Sequence, residues 1–279
     1  MSELPREETT LPTNSMKVQG KVAIITGGAS GIGEATAHLF ALHGARAVVI
    51  ADVQDEKGLK VAEAIGKDVG AFFHCDVADD DQVRAAVDWT AGTYGQLDVM
   101  FCNAGVLNRS DQTVLDLDLS QLDRLFAINV RGVAAGVKHA ARAMVERRVE
   151  RRVRGSIVCT ASILASMGAR KWTDYVMAKH AVVGLVREAS RQLGEHGIRV
   201  NCVSPYAVAT PMTCSQFEMD AAQLEQDFGQ FAPLKGVVLK AEHVAEAVLF
   251  LASDESAFVS GRDLVVDGAF LCGDHVNEI

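Results

Sequence analysis

The sequence predicts an α/β fold: a single-domain, Rossmann-like, doubly wound parallel sheet of about seven strands with helices on both faces. Three observations carry this expectation. Short β-branched runs alternate with amphipathic stretches of helical period, a pattern that builds parallel sheets. A glycine-rich turn joins the first run directly to a helical pattern. The residues best suited to chemistry fall just after the runs, where such sheets bind ligands beyond their strand ends.

The first run, residues 21–26, leads into Thr26-Gly27-Gly28-Ala29-Ser30-Gly31-Ile32-Gly33, and a helical pattern opens with Glu34. Glycines there let the backbone bend sharply and approach a pyrophosphate, whose charge is met by free N–H groups at the helix start. Gly27, Ser30, Gly31, Ile32 and Gly33 are therefore candidate dinucleotide contacts. The second run, 47–51, is closed by Asp52, nineteen residues beyond Gly33. A carboxylate at this place accepts hydrogen bonds from an adenosine ribose and repels a 2′-phosphate, so NAD is expected over NADP, with Val53 alongside. The third run, 71–75, ends in Asp76-Val77, where the acid can meet an adenine amino group. The fourth, 97–102, ends in Asn103-Ala104-Gly105, small enough for close approach.

Beyond these, residues 145–153 form a short direct repeat, Val-Glu-Arg-Arg twice, expected to extend a helix before the fifth run at 156–161. Ser162 follows that run. Thirteen residues later come Tyr175 and Lys179, four apart, which places both side chains on one helix face. An ammonium beside a phenol favours the phenolate and lowers its pKa, making the tyrosine a usable base. The sixth run, 199–203, precedes a long insert, 210–239, carrying Met212, Phe217, Leu224 and Phe228; as helix it gives one apolar stripe and suits a substrate flap. The seventh run is 263–266.

Composition excludes several functions. A net charge of −9 argues against nucleic acid, since phosphate binding needs a basic face. No apolar run reaches the length of a membrane span, so a soluble protein is expected. The six cysteines form no CxxC pair or ligand cluster and read as buried residues of a reducing compartment, with no metal. Residues 1–16 lack both the apolar core of a signal peptide and the Arg-rich, acid-poor character of a transit peptide. They read as a disordered leader of a cytoplasmic protein whose remainder, 17–279, is one catalytic domain.

In order, TGGASGIG, CNAG, Asn129 in Ile-Asn-Val, Ser162, the YxxxK pair and Ser204-Pro205 followed by Thr210 resemble the motifs of short-chain dehydrogenase/reductases. The resemblance spans about residues 20–270. Lys179-His-Ala-Val-Val-Gly-Leu and Asn201-Cys-Val-Ser-Pro-Tyr-Ala-Val-Ala-Thr-Pro-Met look closest to the plant specialised-metabolism branch, which includes secoisolariciresinol, borneol and xanthoxin dehydrogenases and momilactone A synthase. The resemblance implies that Tyr175 is the general base and that Lys179 holds the nicotinamide ribose and lowers the tyrosine pKa. It implies that Ser162 binds the substrate oxygen and that Asn129 fixes a water relaying protons from Lys179. Pro205, Val208 and Thr210 would contact the nicotinamide end.

It further implies a homotetramer formed through the helices of Asn129 and Tyr175, with Ala134, Ala135, Gly136, Ala140, Ala181 and Gly184 allowing close contact. Three departures from the family pattern stand out: Cys102 where Asn is usual, Tyr206 where Gly follows Pro, and Ala269 in place of a second Gly. Tyr206 sets a bulky ring at the substrate mouth. The expected activity is NAD-dependent oxidation of a secondary alcohol on a bulky apolar molecule, a terpenoid or related plant metabolite. An NADPH-dependent carbonyl reductase is opposed by Asp52. A non-catalytic NAD-sensing protein is opposed by the intact Ser, Tyr and Lys.

Overall fold

The computed structural model describes residues 16–146 and 155–272. Seven parallel strands form one sheet in the order β3-β2-β1-β4-β5-β6-β7. They are β1 (Val22–Thr26), β2 (Ala47–Asp52), β3 (Gly70–His74), β4 (Val99–Cys102), β5 (Gly155–Thr160), β6 (Ile198–Pro205) and β7 (Asp263–Val266). Each expected run is a strand, with ends shifted by one to two residues. The principal stick-out is β6, whose Ser204 and Pro205 pair with Val265 and Val266.

The two faces are covered separately because successive strand residues point to opposite sides. Ile24, Val49, Met100, Ile157 and Val200 pack under α3 (Asp80–Tyr94), α5 (Val133–Glu146) and α6 (Thr173–Gly194). Their neighbours Ile25, Val48, Ile50, Phe101 and Val203 pack under α1 (Gly31–Leu42), α2 (Asp55–Ile65) and α9 (Ala241–Ala252). Fully buried side chains such as Phe40 and Phe101 contribute about 1.5–3 kcal/mol each. Chain order reverses between β1 and β4, and the crevice beyond their carboxyl ends is where this topology takes a ligand.

Three local features position the site. α4 (Leu119–Phe126) runs into a π-turn over Ala127–Gly132 before α5, and that turn carries Asn129 inward, fully buried. Gly132 lies so close to Val77 that a Cβ would meet Val77 Cγ2 at 2.8 Å. The insert after β6 is two short helices, α7 (Pro211–Phe217) and α8 (Ala221–Gly229), instead of one striped helix. Glu218 ends α7 in the left-handed region (φ 54°), and Asp220 caps α8 by accepting from the Gln223 N–H. Residues 1–15 and the 147–153 part of the arginine repeat lie outside the described residues. Among those described, no helix is long and apolar enough to cross a membrane.

Candidate active site

A cavity of about 350 Å³ opens at the carboxyl ends of the strands. It is lined by Gly27, Ser30, Gly31, Ile32, Asp52, Val53, Asp76 and Val77. Asn103, Ala104 and Gly105 also line it, as do Ser162, Tyr175, Lys179, Pro205, Tyr206, Val208 and Thr210, the last of these packed close to Gly31. Gly33 and Asn129 do not line it. Gly33 stands behind the turn, where a Cβ would meet the Gly27 carbonyl oxygen at 2.2 Å.

The turn is built to receive a ligand. Gly27 and Gly31 have φ of 64° and 58°, which side-chain-bearing residues rarely adopt, and a Cβ on Gly27 would strike Ala104 Cα at 2.8 Å. Asp79, Asp118 and Asp220 cap the first turns of α3, α4 and α8 with their carboxylates, whereas Ser30 makes no side-chain bond to the first turn of α1. The N–H groups at that helix start are left uncapped beside the cavity, as an anionic pyrophosphate requires. Asn103 braces the turn, its Nδ2 donating to the Thr26 and Gly27 carbonyls at 3.1 and 3.2 Å. A nicotinamide dinucleotide fits this glycine cradle and uncapped helix start.

Asp52 is buried at the end of β2. One carboxylate oxygen accepts from the Ala29 N–H and the other from the Gln54 N–H, both at 3.0 Å. It thus ties strand to turn while presenting negative charge to the cavity. Among the described residues that line the cavity, Lys179 is the sole Lys or Arg.

Around Tyr175 the geometry corrects one expectation. Lys179 Nζ lies 5.3 Å from the Tyr175 ring centroid, as the four-residue spacing requires, but it donates to the Thr160 carbonyl at 2.8 Å. Crowding of protein around the phenol pushes its pKa up to about 12, against a Ser162 hydrogen bond that acts downward. Desolvation outweighs the Ser162 hydrogen bond, so the phenol stands above its ordinary value instead of below it. Lys179 is itself buried, and desolvation lowers it to about 8, against the nearby Cys159 and Cys202 sulfurs, which act upward.

Lys179 therefore leaves a signature on stability. Its folded pKa of about 8 lies below the ordinary 10.5, so between those values the unfolded chain binds more protons and stability rises with pH. Tyr175, raised from 10 to about 12, acts in the opposite sense over that higher window. Lys179→Met is expected to flatten the rise between about pH 8 and 10, read as urea midpoints across pH. An unchanged slope would contradict this.

Asn129 is held by two hydrogen bonds to a single residue. Its Nδ2 donates to the Val106 carbonyl at 2.9 Å and its Oδ1 accepts from the Val106 N–H at 2.8 Å, so the amide clamps the segment after Gly105 and keeps one N–H and one lone pair for a further partner. Ser162 heads the 3-10 turn Ile163–Ala165 and accepts from the Leu164 N–H at 3.2 Å, which fixes its side chain at the cavity wall. Sequence reasoning passed over Thr160, whose carbonyl anchors Lys179, and Trp172, which lines the cavity. Trp172 stands three residues before Tyr175, a same-face spacing that could have revealed it.

The small residues proposed for subunit contact are partly committed elsewhere. Ala135 and Ala140 are buried within the chain, and Gly136 packs against Cys102, where a Cβ would meet Sγ at 2.6 Å. They face the sheet because α5 must approach it closely.

Comparisons with known proteins agree with this geometry. The family model described as enoyl-(acyl carrier protein) reductase matches residues 27–270. The chain is 58% identical over 93% of its length, and 96% of the relative's, to (+)-cis,trans-nepetalactol synthase NEPS2 of Nepeta racemosa. It is 60% identical over 92% of its length, and 95% of the relative's, to the (-)-isopiperitenol/(-)-carveol dehydrogenase, mitochondrial, of Mentha piperita. The solved structure of a short-chain type dehydrogenase/reductase from Mycobacterium marinum superposes with a TM-score of 0.82 at 32% identity, covering 93% of this chain and 99% of that one. Sequence and fold agree over nearly the whole length, and the chain belongs to the short-chain dehydrogenase/reductase family, in its plant specialised-metabolism branch.

Proposed function

We propose that the protein is an NAD-dependent dehydrogenase that oxidises a secondary alcohol on a bulky apolar small molecule, a terpenoid or related plant metabolite, to the ketone. The observation that carries this reading is that Ser162, Tyr175 and Lys179 line one cavity together with the glycine turn and the aromatic side chains Trp172, Tyr206, Phe217 and Phe228. A relative at 60% identity named as an isopiperitenol/carveol dehydrogenase supports the substrate class. Bound along the glycine turn, a nicotinamide dinucleotide supplies the hydride acceptor.

The chain's own residues do the rest. Ser162 donates to the substrate oxygen as it gains carbonyl character, and Tyr175 takes the hydroxyl proton. Because desolvation raises the phenol to about 12, that step needs positive charge beyond the Lys179 ammonium, which an oxidised nicotinamide would supply when bound. Asn129 holds Val106 and so keeps Gly105 close to the Lys179 ammonium. A Cβ on Gly105 would sit 3.8 Å from Nζ. Val208 and Thr210, which line the cavity, would hold the nicotinamide carboxamide.

The subunit reading is a homotetramer, now assigned to the groove between α5 and α6 lined by Ala134, Val145, Leu185 and Leu193. Reduction of NAD in the presence of a panel of terpenoid, lignan and steroid secondary alcohols tests the activity. Turnover with an apolar secondary alcohol is expected, and a signal no greater than that of Tyr175→Phe across the panel would refute it.

A second reading has one observation in its favour. A phenol protonated up to about pH 12 is a proton donor, and relatives named nepetalactol synthases share more than half of the chain's residues. Such a reaction would convert an apolar carbonyl compound without consuming NAD in proportion to product.

A further inference from the structure

Four aromatic side chains from separate parts of the chain, Trp172, Phe217, Phe228 and Tyr206, line the cavity in one unbroken run of ring contacts backed by Phe270. Phe270 stacks on Tyr206 with centroids 4.6 Å apart, and Tyr206 meets Phe228 edge-on at 6.0 Å. Phe228 meets Phe217 at 5.2 Å, and Phe217 meets Trp172 edge-on at 5.8 Å. The Tyr206 end is anchored: Phe270 is fully buried and the Tyr206 hydroxyl donates to the Phe228 carbonyl at 3.4 Å. The other end is held differently. Trp172 precedes α6 and Phe217 is the last residue of α7, a seven-residue helix with no buried residue.

The hydroxyl donors at this end are already committed. The Thr213 hydroxyl donates to the Val208 carbonyl at 2.6 Å, as the Tyr206 hydroxyl does to Phe228. Ser162 and Tyr175 remain to meet one substrate oxygen, and a second substrate group that needs a hydroxyl donor finds none free on these two side chains. The aromatic rings, by contrast, offer faces and edges to a hydrocarbon skeleton.

Resting on the dehydrogenase reading above, we infer that the Trp172–Phe217 contact is the size-determining wall of the substrate site. It closes the cavity between the Tyr175 helix and α7, admits a one-ring hydrocarbon bearing a single oxygen, and excludes extended fused-ring alcohols. Phe217 is the specificity-determining residue, since Trp172 is fixed beside the catalytic helix by the backbone bridge to Gln112, whose N–H donates to the Lys171 carbonyl at 2.7 Å.

The test uses the full-length protein with NAD and reads Trp172 fluorescence as ligand binds, against the constant background of Trp89, which packs at Phe73 and Tyr94. A one-ring terpenoid ketone and a steroid ketone are titrated into wild type, Phe217→Ala and Phe217→Leu, with thermal midpoints as a folding check. In Phe217→Ala the affinity ratio of steroid to one-ring ketone is expected to rise by about tenfold or more, with Phe217→Leu intermediate. A ratio within about twofold of wild type in the folded variants overturns the inference. If Phe217→Ala does not fold, Phe217→Leu decides alone. NAD reduction with the matching alcohols is measured in parallel. Turnover with an unmoved ratio leaves the dehydrogenase reading standing and removes the wall; a shifted ratio without turnover in wild type does the reverse.

Discussion

Tyr175→Phe is expected to lower kcat for alcohol oxidation by about 10²–10⁴-fold while leaving NAD affinity and the thermal midpoint near wild type. The substitution removes one oxygen and keeps the ring, so the packing of Lys179 over that ring at 5.3 Å and its bond to the Thr160 carbonyl are preserved. What disappears is the phenol hydroxyl proposed to receive the alcohol proton. Removing an interaction made only in the transition state lowers kcat and kcat/KM together. A fall of less than about tenfold would show that another group takes the proton.

The wild-type rate should also climb with pH, because the base form of a phenol pushed up to about 12 is scarce near neutrality and becomes more populated as pH rises. Lys179, near 8 before any ligand is considered, limits that gain from above by losing its charge.

The second large effect concerns cofactor choice. Asp52→Asn combined with Val53→Arg is expected to raise the NADP to NAD ratio of kcat/KM by about 10²-fold, since removing a like-charge contact is worth several kcal/mol and each 1.4 kcal/mol is tenfold. Val53 is 54% exposed beside the cavity and can carry the new guanidinium without entering the core. Asp52→Asn alone should fall short and should weaken NAD as well. Both carboxylate oxygens accept backbone N–H groups, from Ala29 and Gln54, and an amide replaces one acceptor with a donor. Equal rates with both cofactors in the wild-type protein would contradict the role given to Asp52.

How much of this was legible in the sequence follows from where each residue draws its constraint. The strands were legible because runs such as Val22–Thr26 and Ala47–Asp52 are buried along their whole length and must be β-branched or small. The end of β6 was not, because Ser204 and Pro205 are extended by pairing with β7, some sixty residues away in sequence. The insert read as one stripe, yet Glu218 turns left-handed and breaks it, a choice made by packing against Trp172 and Tyr206.

At the site, spacing located Tyr175 and Lys179 on one face but carried no information on depth. Burial was the larger influence on the phenol, so the expected depression became a rise. Asn129 lies where the motif order put it, and its amide is bonded to Val106, a partner identified only when the chain is folded. Trp172 escaped notice because it precedes the helix, and its part in the cavity depends on Phe217, forty-five residues further on.

The central claim is hydride removal from a carbinol carbon with Tyr175 as base. Its most direct test supplies a one-ring terpenoid secondary alcohol deuterated at the carbinol carbon, with NAD, and weighs the nicotinamide product by mass spectrometry. One deuterium on the reduced nicotinamide in equal amount to the ketone formed, with both products formed about 10²-fold or more slower by Tyr175→Phe, is the predicted result. Product formed without label on the nicotinamide, or with NAD unchanged, would contradict the account.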